Sequence, residues 1–279
     1  MSQLIVMRQR IKAISTIKKI MGAMRLVSRS LHTRMNHTRK PLNEYVASFE
    51  SFLAVFKKNT QDVLPSWLSG NQGSNKKLYI IVGAQKGLCS NFNADLLYWM
   101  NANKDLLRDK DAQVVAVGKK IADCAKTLGI FHPICLPGYS LSKMNSSVVT
   151  LQKIIEKAYP SFDHVVIISN YSHTFFSHRI RIMPIVPLHI TSTTPTDDIP
   201  IFDYESHDMM HRCAQKYVYV LLYKSLYESL LGEYAARFIA TDNAARNADK
   251  SLVRMNVQYN KIRQAKITKE ISELVGAYQ

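Results

Sequence analysis

No proline precedes Pro41 and none follows Pro200. Proline forbids a helix interior more strongly than any other residue, so both ends of this chain are free to form very long helices. From about His207 to Ala277 the composition favours helix, and one helix over that span would be roughly 105 Å long. An ordinary globular domain has little use for such a rod. At the other end apolar residues recur at Leu4, Met7, Ile11, Ile14, Ile17, Ile20, Met24, Val27, Leu31 and Met35. Their mean step is about 3.4, close to the 3.5 repeat of a coiled-coil seam. A narrow seam with charges all round suits a long helix with one partner helix, whereas a membrane-surface helix has a wider apolar face. An amphipathic helix packed on an ordinary core fits the same spacing. The C-terminal stretch supplies a partner. It is aromatic at Tyr217, Tyr219, Tyr223, Tyr227 and Tyr234 and small at Ala235, Ala236, Ala240, Ala244, Ala245 and Ala248. A seam follows at Leu252, Met255, Tyr259, Ile262, Ile267, Ile271 and Leu274. Small residues let two helix backbones approach closely.

Charge narrows the function classes. Residues 1–40 hold ten basic residues and no acid, in a chain of net charge +16. Four readings fit: a transit peptide, a membrane-surface helix, a nucleic-acid contact, or a helix lying inside an acidic partner. With 47% hydrophobic residues the chain is not disordered. Cys89, Cys124, Cys135 and Cys213 are far apart with no Cys-x-x-Cys, against a disulfide framework or a thiolate zinc site. No run of about 18 uncharged apolar residues is present to span a membrane.

Between the ends the period changes. Leu78–Val82, Val114–Val117, Ile134–Leu136 and His164–Ser169 read as strands. Asn93–Met100, Lys119–Leu128 and Met144–Ala158 read as helices. Ile180–Ile190 reads as an irregular edge strand because of Pro184 and Pro187. Alternating strands and helices imply a mostly parallel sheet. With linkers at Ser66–Lys77 and Thr191–Pro200, the fold class is α/β: a long antiparallel coiled coil of terminal helices with an inserted α/β domain. The expected division is 1–65, 77–190 and 205–279.

No assembled active site emerges. Gly83-Ala-Gln-Lys-Gly87 lacks the spacing of a phosphate loop or a dinucleotide fingerprint. His207 and His211 share a helix face near Cys213, but Asp208 stands where a zinc protease needs Glu. His173 and His178 have no nucleophile motif beside them, and Cys89 reads as a small buried residue. No catalytic residue, cofactor or metal is expected. The polar residues Arg263, Gln264, Thr268, Glu270 and Glu273 lie on a helix whose apolar seam is already used. They face solvent or another protein.

Here the sequence resembles a known family. Tyr259, Asn260, Arg263, Gln264, Ala265, Ile267, Thr268, Glu270, Ile271, Glu273, Leu274 and Val275 match the Y-N-x-x-R-Q-A-x-I-T-x-E-[I/L]-x-E-[I/L]-V pattern of gamma subunits of F-type rotary ATP synthases. Glu233, Ala235, Ala236, Arg237, Ala240, Thr241, Asp242, Asn243 and Ala244 resemble the region upstream. Arg10, Ile11, Ile14, Lys19, Ile20, Ala23, Met24 and Val27 resemble the N-terminal helix, and Gly87, Leu88, Cys89 and Asn93 the R-G-L-C-G-x-x-N motif. Tyr204 and Glu205 resemble the element before the last helix. The string Ile20–Arg25 is also similar to a divergent class that includes sodium-pumping relatives.

The resemblance implies a non-catalytic central-stalk rotor subunit, coupling transmembrane ion flow to ATP synthesis or hydrolysis in alpha and beta subunits. It implies rotor–stator contacts at Lys19, Met24, Arg25, Arg263, Gln264, Thr268, Glu270 and Glu273, and foot contacts at Tyr204 and Glu205. The implied partners are the alpha and beta subunits, the epsilon subunit and the membrane c-ring, with one copy of this chain per complex. The implied location is peripheral, on the cytoplasmic side of a cell inner membrane. An organellar origin is the less expected alternative, since the motif begins almost at Met1 and leaves no room for a presequence. Two rivals stand beside this. A basic coiled coil that binds nucleic acid explains the charge but lacks a recognised module. An α/β enzyme with helical extensions lacks its catalytic constellation.

Overall fold

A computed structural model describes residues 3–59, 76–130, 132–158, 162–188 and 206–277. Tyr204, Glu205 and almost all of the two expected linkers lie outside these. Helix α1 spans Gln3–Asn59 and the last helix, α6, spans Ser206–Ala277. Helix α1 passes through Pro41. Pro41 and His37 are both exposed, so the His37 carbonyl that loses its partner faces water rather than a dry core.

Between them run β1 (Lys77–Val82), α2 (Ala94–Ala102), α3 (Lys104–Arg108), β2 (Ala112–Val117), α4 (Lys119–Thr127), β3 (Ile134–Leu136), α5 (Met144–Ala158), β4 (His164–Thr174) and β5 (Ser177–Val186). The sheet order is β3-β2-β1-β4-β5; all neighbouring pairs are parallel except β4 with β5. The chain divides into two compact units, Met1–Ser30 with Arg237–Gln279, and Leu31–Ala236.

Within the second unit the order explains the layers. From β1 to β2 to β3 the chain steps in one direction, and right-handed crossovers put α2, α3 and α4 on one face. The return from β3 past β2 and β1 to β4 reverses direction, so α5 lies on the other face. The two cores agree. Leu78, Ile80 and Val82 of β1 pack with Val148, Leu151 and Ile155 of α5 and with the early part of α6. Tyr79 and Ile81 pack instead with Leu96, Met100, Leu107, Ile121 and Ala125. Strand alternation thus feeds two cores, and strands covered on both faces read as unbroken apolar runs.

The early part of α6 is buried on nearly every side from Tyr217 to Glu233, which suits a helix enclosed by other elements. Its polar groups find partners. The Tyr227 hydroxyl donates to the Met35 carbonyl at 2.7 Å and the Tyr217 hydroxyl to the Glu50 carboxylate at 2.7 Å. Burial, reinforced by Glu50, pushes the Tyr217 phenol well above its ordinary range. Tyr219, Tyr223 and Tyr227 stack at four-residue steps, with centroids 6.4 and 6.0 Å apart.

Candidate functional site

In the first unit, residues 3–30 of α1 pair with residues 237–262 of α6. Lys18 meets Asp249 at 2.5 Å and Arg25 meets Asp242 at 2.7 Å. The two pairs are one heptad apart on each helix and run in opposite directions, so the helices are antiparallel. Asp242 also accepts from Arg246 at 2.7 Å. The Arg25 hydrogen bond outweighs partial burial and, joined by Arg246, holds the Asp242 carboxyl below its ordinary range. Met7, Ser28, Arg237, Thr241 and Ala248 are buried in this unit.

The seam does not follow the apolar residues throughout, and this corrects the expected pattern. Ile17, Ile20 and Val27 are 49%, 50% and 60% exposed. The stripe that faces α6 steps by alternating threes and fours through Leu4, Met7, Ile11, Ile14, Lys18, Met21, Arg25 and Ser28, of which only Lys18 is exposed. Only that alternation keeps a stripe on one side of a helix; the consecutive three-residue steps Ile14–Ile17–Ile20 rotate away from it. Charged residues occupy two seam positions because carboxylates face them. On α6 the expected seam holds partly at Leu252, Met255, Tyr259 and Ile262, but Ile267, Ile271 and Leu274 are 47%, 56% and 62% exposed. Among the described residues α1, which begins at Gln3, offers none to face them.

Every described side chain from Arg263 to Ala277 is exposed. Arg263, Gln264, Thr268, Glu270 and Glu273 therefore lie together on one unaccompanied helical stretch. Its local support is internal: Lys266 with Glu270 at 3.4 Å, Lys269 with Glu273 at 3.6 Å, and the Thr268 hydroxyl donating to the Gln264 carbonyl at 3.0 Å. Lys19 is exposed and Met24 half-buried, while Arg25 is spent mainly on Asp242. The exposed apolar residues Ile17, Ile20, Leu26 and Val27 of α1, and Val253 and Val257 of α6, belong to this candidate surface too. Apolar spacing alone assigned three of them to the seam. A strict heptad count from Met7 separates them.

A second polar centre lies within the other unit, at the carboxyl end of β1. Glu233 of α6 is 1% exposed. Its carboxylate accepts the Gln85 amide N–H at 2.8 Å and the Lys86 amide N–H at 3.2 Å. The Gln85 side chain donates to the Gly83 carbonyl at 2.8 Å and accepts from the Tyr139 amide at 2.9 Å. A side chain at Gly138 would sit 2.1 Å from Gln85 Oε1. Asn93 Oδ1 accepts the Ala84 amide at 2.8 Å. The glycine-rich turn is thus held by a carboxylate of this chain, where a phosphate loop would hold a ligand. Cys89 is 1% exposed in the same cluster, as its apolar neighbours imply. His178 meets Asp95 at 3.5 Å and packs on Phe92. The His173 and His207 side chains lie outside the described residues. Among the described residues no cluster of three metal-ligating side chains occurs, and no helix is long and apolar enough to cross a membrane.

Known proteins resemble this architecture end to end. A family model described as ATP synthase matches residues 3–279. The ATP synthase gamma chain of Geobacter metallireducens is 27% identical over 99% of this chain and 98% of its own length. That of Campylobacter concisus is 28% identical over 100% and 99%, and that of Clostridium botulinum strain Hall 29% over 98% and 96%. Among solved structures, a chain of the rotor of Euglena gracilis mitochondrial ATP synthase aligns with a TM-score of 0.69 at 14% identity, covering 95% of this chain and 98% of that one. A chain of the central stalk and c-ring of the Tetrahymena thermophila enzyme aligns at 0.60 and 16% identity, covering 81% and 99%. Nothing in these likenesses supports a nucleic-acid-binding coiled coil. With a paired-helix unit, a mostly parallel sheet and a match along almost its whole length, the chain belongs to the ATP synthase family, alongside the gamma chains.

Proposed function

We propose that this chain is the central-stalk rotor subunit of an F-type ATP synthase, coupling transmembrane ion flow to ATP synthesis or hydrolysis in alpha and beta subunits. The observation that carries the reading is the antiparallel helix pair from which one helix continues alone, fully exposed, through Arg263–Ala277. An isolated helix of this kind gains little from its own i,i+4 pairs and acquires purpose inside a surrounding ring. Rotation then acts by differential contact. An asymmetric rod favours a different conformation in each surrounding subunit at each angle, a population shift driven by contacts rather than by chemistry on the rod itself. The chain acts as a non-catalytic subunit.

Lys19, Met24, Arg25, Arg263, Gln264, Thr268, Glu270 and Glu273 are the rotor–stator contacts of this proposal, and Tyr204 and Glu205 the foot contacts. The division 1–65, 77–190 and 205–279 is its functional anatomy. The partners are alpha and beta subunits, an epsilon subunit and a membrane c-ring, with one copy per complex, placed peripherally on the cytoplasmic side of a cell inner membrane. The basic stretch of α1 steers toward acidic loops of the stator.

The test is reconstitution with alpha and beta subunits from the same source, followed by ATP hydrolysis on the sized complex. A stable complex with one copy of this chain, and multi-site turnover lost on Arg263→Ala with Gln264→Ala, is expected. Full turnover in the double variant would remove these contacts from the proposal, and failure to assemble at any salt concentration would overturn the rotor reading.

A further inference from the structure

Away from both centres, α1, α6 and the β4–β5 hairpin enclose a cluster of charges. Arg39 of α1 donates to the Ser172 carbonyl at 3.0 Å and lies 5.2 Å from the centre of the Tyr171 ring. Arg181 of β5 lies 5.5 Å from the same ring and pairs with Glu228 of α6 at 2.9 Å. Glu228 is 4% exposed. The two guanidiniums are thus fixed beside one aromatic ring. Lys224 stands one helical turn before Glu228, within electrostatic reach of Glu228, Arg181, Glu50 and Arg39. Glu50 is held by the Tyr217 hydroxyl and Glu228 by Arg181. Among the described residues Lys224 has no hydrogen bond or ion pair of its own. Three cations therefore share two carboxylates, and both carboxylates are already engaged.

We propose that Lys224 is an acylation site for small acyl phosphates, with Arg39 and Arg181 drawing in the phosphate end of the donor. The amine lone pair forms the N–C bond with the acyl carbon and the C–O bond to phosphate breaks. The phosphate departs with that electron pair and takes the amine's proton, leaving a neutral amide and hydrogen phosphate. Three features favour this amine over the other lysines. It is half-buried rather than sealed from solvent. Burial, assisted by Arg181 and Arg39 and opposed by Glu228 and Glu50, lowers its pKa, and the neutral amine is the nucleophile. Amide formation also leaves two guanidiniums facing two carboxylates, so the product relieves a charge imbalance instead of creating one. Guanidinium forks retain free N–H donors for a phosphate even when one edge is engaged.

The test treats the full chain with acetyl phosphate at pH 8 and follows each lysine by peptide mass spectrometry. Lys250 and Lys261, exposed on the same helix, serve as references. Lys224 is expected to acetylate at least about threefold faster than either, since each pKa unit of depression is worth up to tenfold in free amine. Arg181→Gln should bring it down to the references. Lys224→Gln, which imitates the product's charge, should melt no lower than the unaltered chain. Equal or slower labelling at Lys224 overturns the proposal. So does a preference seen only with acetic anhydride, which has no phosphate for the arginines to hold, and so does a Lys224→Gln chain that melts several degrees lower.

Discussion

Replacing Glu233 with Gln tests the polar centre at the end of β1 with almost no change of volume. The carboxylate accepts two backbone N–H groups, at 2.8 and 3.2 Å, from a site that is 1% exposed. Glutamine offers one acceptor oxygen, and its NH₂ must face the remaining backbone donor. Hydrogen bonds to a charged group contribute about 1.5–3 kcal/mol each, and a buried donor left without an acceptor costs about 1–3 kcal/mol. Relief of carboxylate desolvation opposes this. The donor-against-donor contact is the larger effect because the Gln85 and Lys86 amides have fixed directions, set by the Gln85 side chain's own bonds to Gly83 and Tyr139. The net expectation is a loss of about 2 kcal/mol, or about 4–8 °C in Tm for a unit of this size. Scanning calorimetry reads the shift, and amide hydrogen exchange should show protection lost at Gln85 and Lys86. A Tm within a degree of the unaltered chain, with both amides still protected, would refute the reasoning.

Gly138→Ala attacks the same turn from the segment that follows β3: its methyl would sit 2.1 Å from Gln85 Oε1, and displacing that side chain should cost about 1–3 kcal/mol in a chemical denaturation series. Ile17→Ser with Ile20→Ser should change stability by no more than about 0.5 kcal/mol per site because both side chains point outward, yet weaken assembly with alpha and beta subunits; a loss of several kcal/mol would restore them to the seam. The Asp242 carboxyl has a lowered pKa in the folded state, so its contribution is complete above the ordinary carboxylate value near ~3.9 and is lost as pH falls through the lowered one. An acid titration by circular dichroism should show that loss, and Asp242→Asn should flatten it.

Much of this architecture was legible because it rests on periodicity. The apolar runs Leu78–Val82 and His164–Ser169 became strands buried on both faces, and each end became a single helix, the N-terminal one running on through Pro41. The β4–β5 hairpin was not legible. Its two-residue loop is Phe175–Phe176, without the Asn-Gly or Asp-Gly signal of a tight turn. Closure comes from Thr174, whose Oγ1 accepts the Ser177 amide at 3.1 Å and lies 2.7 Å from the Ser177 hydroxyl. Glu233 was noticed only as part of a motif, since nothing local tells a helical Glu that it will meet a turn some 150 residues away in the chain. The α1 seam was misread between Ile14 and Leu31 because an apolar count treats Lys18 and Arg25 as outward. Their partners lie on another helix, so the sequence of α1 alone gives no reason to place them inward.

Those charged seam positions bear on what the helix pair can do. Lys18 and Asp249 are 45% and 54% exposed, and a pair so open to water adds only about 0.2–1 kcal/mol. Stability is therefore a weak reason for placing charge there. Register is a stronger one, because a polar residue at a seam position penalises every alignment that denies it a partner. If α1 slides one heptad along α6 so that Lys18 reaches Asp242, Asp249 comes to face Ile11 and Arg25 loses its carboxylate. A seam of apolar residues alone would accept that slip at small cost. In a rod that transmits torque, slippage along the axis dissipates the work that rotation delivers. Resistance to slipping matters more there than a few tenths of a kcal/mol of packing. Turning Ile17, Ile20 and Val27 outward goes with the same arrangement, since the residues that would have made a greasier seam stand exposed on the opposite side of α1.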